Sequence, residues 1–309
     1  MLCVEKMHYY SLNEYLQQTF GEKVYKISLD GGMTCPNRDG KIDTRGCIFC
    51  SKGGSGEFSA DRRLSVRCQI EEAKKKIQAK TDCRKFIAYF QPFTNTNAPV
   101  DYLRKIYSEA AAPDEIVALS IATRPDCLGE EVLELLRNLN QIKPVWVELG
   151  LQTIHTDSAA YIRRGYDTDV YDRAVNSLKK IGISVITHII LGLPFETKEM
   201  MLRSVVYAGE RSDGIKLQLL HVLRNTDLQK DFEAGMFAAL SMEEYIDILC
   251  DAVEMLPPDT VIHRLTGDGD KKLLLAPMWS GDKKRVLNAI NRAFRQRNIT
   301  QGSRYPKTT

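Results

Sequence analysis

Three cysteines raise the question of chemistry first. Cys35, Cys47 and Cys50 fall in the run TCPNRDGKIDTRGCIFC, spaced C-x11-C-x2-C, just after an apolar segment and Gly31-Gly32. Thiolate sulfur is a soft ligand that suits iron, and a flexible loop can wrap three corners of an iron–sulfur cube. Three protein ligands would leave one iron open to another molecule. Two other readings fit the same thiols. A structural zinc site wants four ligands, usually from paired knuckles. This chain has one C-x-x-C, and none of His8, His155, His188, His221 and His263 sits at knuckle spacing from it. A thioredoxin-like redox pair at Cys47 and Cys50 is sound chemistry but leaves Cys35 without a role. The remaining cysteines, Cys3, Cys68, Cys83, Cys127 and Cys250, are scattered and read as packing residues.

Charge marks a second site. The net charge of +3 hides a basic end: residues 271–309 hold ten Lys/Arg against one acid, Asp282, and the rest of the chain is net acidic. A basic end on an acidic body suits a polyanionic partner, although a solvated basic terminus has the same composition. Within residues 283–298, Val286, Leu287, Ile290 and Phe294 share one helical face, and Lys284, Arg285, Arg292 and Arg295 lie towards others. Trp279 could stack a base or simply be buried.

The elements that must position these residues follow from hydrophobic periodicity. Short Val-, Ile- and Tyr-rich runs at 24–29, 86–91, 116–121, 145–151, 184–191 and 214–220 read as buried strands. Amphipathic stretches at 64–79, 126–139, 170–181 and 241–255 read as helices. Gly182 stops the third of these, and Ser241 with Glu244 forms a capping box at the start of the fourth. Strand–helix alternation repeated six times predicts an α/β fold with a parallel sheet, open or curled into a barrel. A core over residues 1–225 and an extension over 226–309 are expected, with Pro257-Pro258 the clearest break.

Composition excludes several classes. With 43% hydrophobic and 27% charged residues in 309, the chain is ordinary for a soluble globular protein and too large for a disulfide scaffold. The first residues include Glu5, Lys6 and Glu14, which interrupt any secretory signal. The most apolar stretch, 183–195, is broken by Thr187 and His188 and is too short to span a bilayer. No membrane association and a cytoplasmic location are expected.

Several strings carry a family resemblance. The cysteine loop after the first strand, with an aromatic residue before its last Cys, resembles the radical S-adenosylmethionine (SAM) superfamily. The superfamily's common spacing is C-x3-C-x2-C, and the longer C-x11-C-x2-C here resembles the branch of the elongator catalytic subunit. Within that branch TCPNRDG, RGCIFC, YFQPFTNTNAP, LSIATRPDCL, ELGLQTIH, HIILGLP, LLHVLRNTDL, HRLTGDG and LLAPMWS resemble the bacterial YhcC/YtqA (MnmL) family over nearly the whole chain.

The resemblance implies a partial (βα)6 TIM-type barrel with a small basic C-terminal extension. It also implies a [4Fe–4S] cluster on Cys35, Cys47 and Cys50, with SAM chelating the open iron. Parallel α/β folds bind ligands at the C-terminal ends of their strands. Gln91, Thr123, Arg124, Glu148, Gln152 and His188 are therefore candidate SAM contacts. Gln152 and Arg164 match a SAM-binding Gln/Arg pair of coproporphyrinogen-dehydrogenase-type relatives. His188 stands where such relatives have Asp, which keeps a ribose hydrogen bond but changes its charge. Lys216, Gln218 and His221 on the sixth strand are candidates to face the substrate.

The implied substrate is a tRNA wobble uridine, with 5-carboxymethylaminomethyl-uridine converted to 5-aminomethyl-uridine. A flavodoxin- or ferredoxin-type electron donor is expected by analogy. Two alternatives stand beside this reading: a radical SAM enzyme acting on a small metabolite, and a non-catalytic cysteine–zinc RNA-binding module.

Overall fold

The computed structural model describes residues 8–54, 56, 59–267 and 269–306. Cys3, Lys307 and Asp268 of the HRLTGDG string lie outside the described residues.

Six strands form where the apolar runs predict them: β1 (Val24–Leu29), β2 (Lys85–Phe90), β3 (Ile116–Thr123), β4 (Val145–Gln152), β5 (Ser184–Leu191) and β6 (Gly214–Leu219). A short pair, β7 (Val222–Leu223) and β9 (Leu274–Ala276), is antiparallel. Between them β8 (Val261–Arg264) joins the main sheet as a seventh strand, giving the order β1-β2-β3-β4-β5-β6-β8, parallel throughout. The boundary expected near residue 225 thus falls between two neighbouring strands of one sheet. A four-residue run after Pro257-Pro258, half of it His and Arg, carries too little periodicity to reveal itself as a strand.

The sheet curls into a partial barrel. Strands lie about 4.8 Å apart, so side chains on β1 and β4 of a flat sheet would start about 14 Å apart. Lys26 of β1 nevertheless reaches Glu148 of β4 at 2.7 Å, and Lys216 of β6 reaches Tyr89 of β2 at 3.1 Å. Side chains alternate across each strand. Val145, Val147, Leu149 and Leu151 of β4, with Ile215, Leu217 and Leu219 of β6, pack outward into the main core under the helices. The barrel interior is layered. Ile87, Ala118, Trp146 and Ile186 form an apolar floor covered by the helix Leu12–Phe20 through Leu16, and the polar residues lie above it.

The helices follow their caps. Met242–Met255 starts on the Ser241/Glu244 capping box, and the helix ending at Lys180 is followed by Gly182 in the left-handed region at φ 73°. The single helix expected over 126–139 is instead a 3-10 turn, Pro125–Cys127, followed by Glu130–Asn140. Proline starts the turn at its first position, and Gly129 caps a fresh helix. In Lys283–Gln296, Val286, Ile290 and Phe294 are buried, but Leu287 is exposed with the cations. Among the described residues no helix is long and apolar enough to cross a membrane.

Candidate active site at the C-terminal mouth of the barrel

The cysteine loop between β1 and the helix Val66–Gln78 folds over the C-terminal ends of the strands. Arg38 Nη2 donates to the Cys50 and Ser51 carbonyls at 3.1 and 2.7 Å, drawing the loop into a compact turn. The buried Asn37 ties it to the far side of the barrel: its Nδ2 donates to the Arg163 carbonyl at 2.7 Å and approaches Cys47 Sγ at 3.4 Å. Gly165, at φ 81°, runs close to Asn37, and a Cβ there would stand 2.9 Å from Asn37 Oδ1. The backbone amide of Ile48 donates to the Ile162 carbonyl, and that of Leu228 to the Ile48 carbonyl. The loop is therefore part of the fold.

Cys35, Cys47 and Cys50 all line a cavity of about 240 Å³ at this mouth. A hydrogen bond from Cys50 holds the Cys47 thiol below its usual range, with Asn37, Arg124 and Arg38 acting in the same direction, and the Cys50 thiol is pushed up in turn. One thiol of the pair is thus ready to ionise, as ligation demands. Among the described residues no three His, Cys, Asp or Glu side chains group as ligands of a single ion.

The same cavity gathers every strand-end candidate: Gln91, Thr123, Arg124, Glu148, Gln152, Arg164, His188, Lys216 and His221. Their bonding differs. Gln91 accepts from Ser28 at 2.5 Å. Thr123 shares a 2.6 Å bond with Thr96, whose hydroxyl also donates to the Cys127 carbonyl. Gln152 sits beyond a register shift in β4 with its backbone in the left-handed region at φ 61°. That conformation costs a non-glycine residue about 1 kcal/mol or more and is typical of groups held for a ligand. Its side chain lies against Gly150, where a Cβ would meet Gln152 Nε2 at 2.4 Å.

Arg124 and Arg164 both stack on Tyr166, 4.9 and 4.7 Å from its ring centroid. Arg124 grips Asp126 through two bonds of 2.9 and 2.7 Å. Arg164 donates to the carbonyls of Leu151, Thr153 and Tyr166 and to the Thr168 hydroxyl. Its guanidinium is occupied in fixing the turn that carries Gln152, so a ligand carboxylate there would compete with three backbone acceptors. His221 lies against Gly267 and Gly269, where a Cβ would approach its ring to 2.7 Å.

Below the mouth lies a charged layer. Glu148, whose side chain is fully buried, receives Lys26 at 2.7 Å, Ser120 at 2.7 Å, His188 Nε2 at 2.8 Å and the Lys216 ammonium. Burial alone would push its carboxyl up, but Lys216, Lys26 and His188 together hold it well below the usual carboxylate range. Burial brings His188 down to about 4, with Lys216 acting in the same direction. His188 is therefore neutral: Nε2 donates to Glu148, and Nδ1 accepts from Gln218 at 3.0 Å. Lys26, Tyr89, Ser120 and Tyr166 escaped the sequence reading. A lysine on the inward parity of VYKISL, between buried Val24 and Ile27, was the one available signal.

Trp279 donates to the Leu240 carbonyl at 3.0 Å and packs on Tyr245, which makes it a packing residue. Arg297 and Arg304 pair with Asp247 and Asp251 at 2.6 and 2.5 Å. Lys284, Arg285, Arg292 and Arg295 remain exposed. A larger concavity, about 1220 Å³, opens at the N-terminal ends of the strands between Tyr10, Trp146, Asp213 and His263, but it contains no cysteine.

Comparison with known proteins agrees with this geometry. The Radical SAM superfamily model matches residues 44–208, and the Radical_SAM C-terminal domain model matches 212–296. The first match begins after Cys35, which shares its cavity with Cys47 and Cys50. In fold, the chain resembles the archaeal Elp3 of Methanocaldococcus infernus, with a TM-score of 0.65 at 19% identity over 90% of this chain and 64% of that one. A tRNA uridine(34) acetyltransferase of Methanocaldococcus jannaschii is 29% identical over 161 residues, 51% of this chain and 29% of its own length. YtqA of Bacillus subtilis is 45% identical over 295 residues, 95% of this chain and 92% of its own. Identity at that level along nearly the full length of both chains means that the protein belongs to the radical SAM superfamily, in the family of YtqA, and is an enzyme whose cofactors are a [4Fe–4S] cluster and SAM.

Proposed function

We propose that this enzyme modifies a wobble uridine of tRNA, converting 5-carboxymethylaminomethyl-uridine to 5-aminomethyl-uridine: the methylene beside the carboxylate is oxidised by two electrons, with SAM as the oxidant, and water then cleaves its bond to nitrogen and releases the two-carbon unit as glyoxylate. The observation that carries the reading is charge. Arg38, Arg124, Arg164, Lys216 and Arg264 line the cavity against Glu148, the one acid among its described lining residues. Outside it, the exposed cations of Lys283–Gln296 offer a phosphate-binding face. The likeness to a tRNA uridine(34) enzyme over about half the chain supports the same substrate class.

Within this reading Cys35, Cys47 and Cys50 would hold the cluster. When bound, the cluster and SAM supply a 5′-deoxyadenosyl radical, which takes a hydrogen atom from an unactivated C–H bond. The protein orients, shields and charges the site. Gln91, Thr123 and Gln152 offer polar contacts to SAM at the strand ends. His188 has both ring nitrogens engaged, by Glu148 and Gln218, so a ribose hydroxyl would bond it at Nδ1 in place of Gln218. Arg164 holds the Gln152 turn, and Arg124 bonds the Arg164 carbonyl behind it. Phe49, Phe93, Ile190 and Leu220 line the cavity with apolar surface that keeps water from a radical. A flavodoxin- or ferredoxin-type protein is the proposed electron donor.

Mass spectrometry of tRNA nucleosides from a strain lacking the gene tests the substrate. Accumulation of 5-carboxymethylaminomethyl-uridine at the expense of 5-aminomethyl-uridine and its derivatives is expected, and unchanged wobble nucleosides refute the reading. Binding of purified tRNA should weaken steeply with salt, as phosphate contacts require.

A further inference from the structure

We propose that Lys216 receives the carboxylate of the substrate, so that the barrel selects a uridine whose C5 substituent ends in an acid. The inference deepens the tRNA reading above and rests on it.

Lys216 comes from the middle of β6, is 4% exposed, and lines the same cavity as the three thiols. Its ammonium meets Glu148 and the Tyr89 hydroxyl at 3.1 Å, and lies 4.6 Å from the Tyr89 ring centroid. Glu148 is shared, because Lys26 holds its other oxygen at 2.7 Å. Two lysines, the buried Lys216 and the half-buried Lys26, therefore divide one carboxylate. Arg38, Arg124 and Arg164 are each committed to carbonyls or to Asp126, as described above. Lys216 shares its counter-charge, Glu148, with a second cation, Lys26.

Burying a charge without full compensation is costly, and the group responds by giving up its proton. Burial brings Lys216 down to about 7, Glu148 opposing and Lys26 and Arg264 assisting. The groups facing it from the other strands are Lys26 on β1, Tyr89 on β2, Glu148 on β4, His188 on β5 and Arg264 on β8. A ligand carboxylate supplies the missing negative charge and returns the proton to Lys216. A neutral substituent supplies nothing. The product's 5-aminomethyl group is itself a cation, so the contact that admits the substrate also repels the product.

The test measures binding of three otherwise identical tRNAs to the cluster-loaded protein. Their wobble uridines carry 5-carboxymethylaminomethyl, 5-aminomethyl or no substituent. At pH 6.5 a preference of tenfold or more for the acid-bearing tRNA is expected. It should shrink several-fold at pH 8.5, where free Lys216 is largely neutral. Lys216→Gln should erase the preference while retaining affinity for unmodified tRNA, and Lys216→Arg should keep it. A preference that survives in Lys216→Gln, or that is the same at both pH values, overturns the proposal. If Lys216→Gln does not fold, the pH dependence of the wild type and of Lys216→Arg decides. Wild-type enzyme that converts the acid-bearing tRNA but fails these criteria sinks the Lys216 assignment alone. Wild-type enzyme that neither prefers nor converts it sinks the substrate reading as well.

Discussion

Lys216→Met removes an ammonium that the fold compensates poorly, and its effect on stability must depend on pH. An unfolded lysine titrates near 10.5, whereas burial brings folded Lys216 down to about 7. Between those values the unfolded chain binds a proton that the folded protein lacks, so raising the pH favours the folded wild type. From pH 7.5 to 9.5 the two binding curves give about 2.5 kcal/mol of added stability from this one group. Methionine has nothing to titrate. The stability of Lys216→Met relative to wild type should therefore fall by about 2.5 kcal/mol over that interval. With unfolding entropies of about 2 cal/mol/K per residue, this is about 4 °C in melting temperature for a chain of this size. Calorimetry of anaerobic, cluster-loaded wild type and variant at the two pH values measures it. A difference in melting temperature that holds constant between them refutes the reasoning, because it means that Lys216 stays an ammonium fully paired by Glu148.

Other outcomes follow from the mouth of the barrel. Cys35→Ser, Cys47→Ser and Cys50→Ser should each abolish the visible absorption of the cluster and SAM cleavage, while Cys68→Ser, at an exposed thiol, leaves both intact. Gln152→Gly relieves a left-handed non-glycine backbone and should cost no stability, or gain up to about 1 kcal/mol, while weakening SAM binding about tenfold by calorimetric titration. Unchanged SAM affinity would remove Gln152 from the cofactor site. Arg164→Lys loses most of the bonds to the Leu151, Thr153 and Tyr166 carbonyls and should destabilise by about 3 kcal/mol in denaturant unfolding.

The strands were legible because burial on both faces of a parallel sheet concentrates Val, Ile, Leu and Tyr in short runs, so 24–29 and 184–191 stood out despite Lys26, Thr187 and His188. The thiols were legible as a set through their spacing. What stayed hidden depends on curvature. Lys26 and Glu148 lie 122 residues apart and meet because the sheet rolls, which no local window records. Arg164 matched a motif by position, yet its guanidinium is turned to carbonyls that become neighbours through the bulge at Gly150 and the backbone of Gln152. β8 was missed for a different reason: His263 and Arg264 break the apolar run, and its place is set by pairing with β6.

The anchoring of the cysteine loop sets a timetable for making the enzyme. Asn37, two residues after Cys35, is held by the Arg163 carbonyl 126 residues later in the chain. At synthesis rates of about 5–20 residues per second, the three thiols leave the ribosome roughly 6–25 s before the segment that fastens their loop. During that interval they are solvent-exposed sulfur on an unfolded chain, open to oxidation and to stray metal. Cluster insertion must therefore come after much of the barrel has been made, and the cell's iron–sulfur assembly machinery would meet a nearly finished fold instead of a nascent peptide.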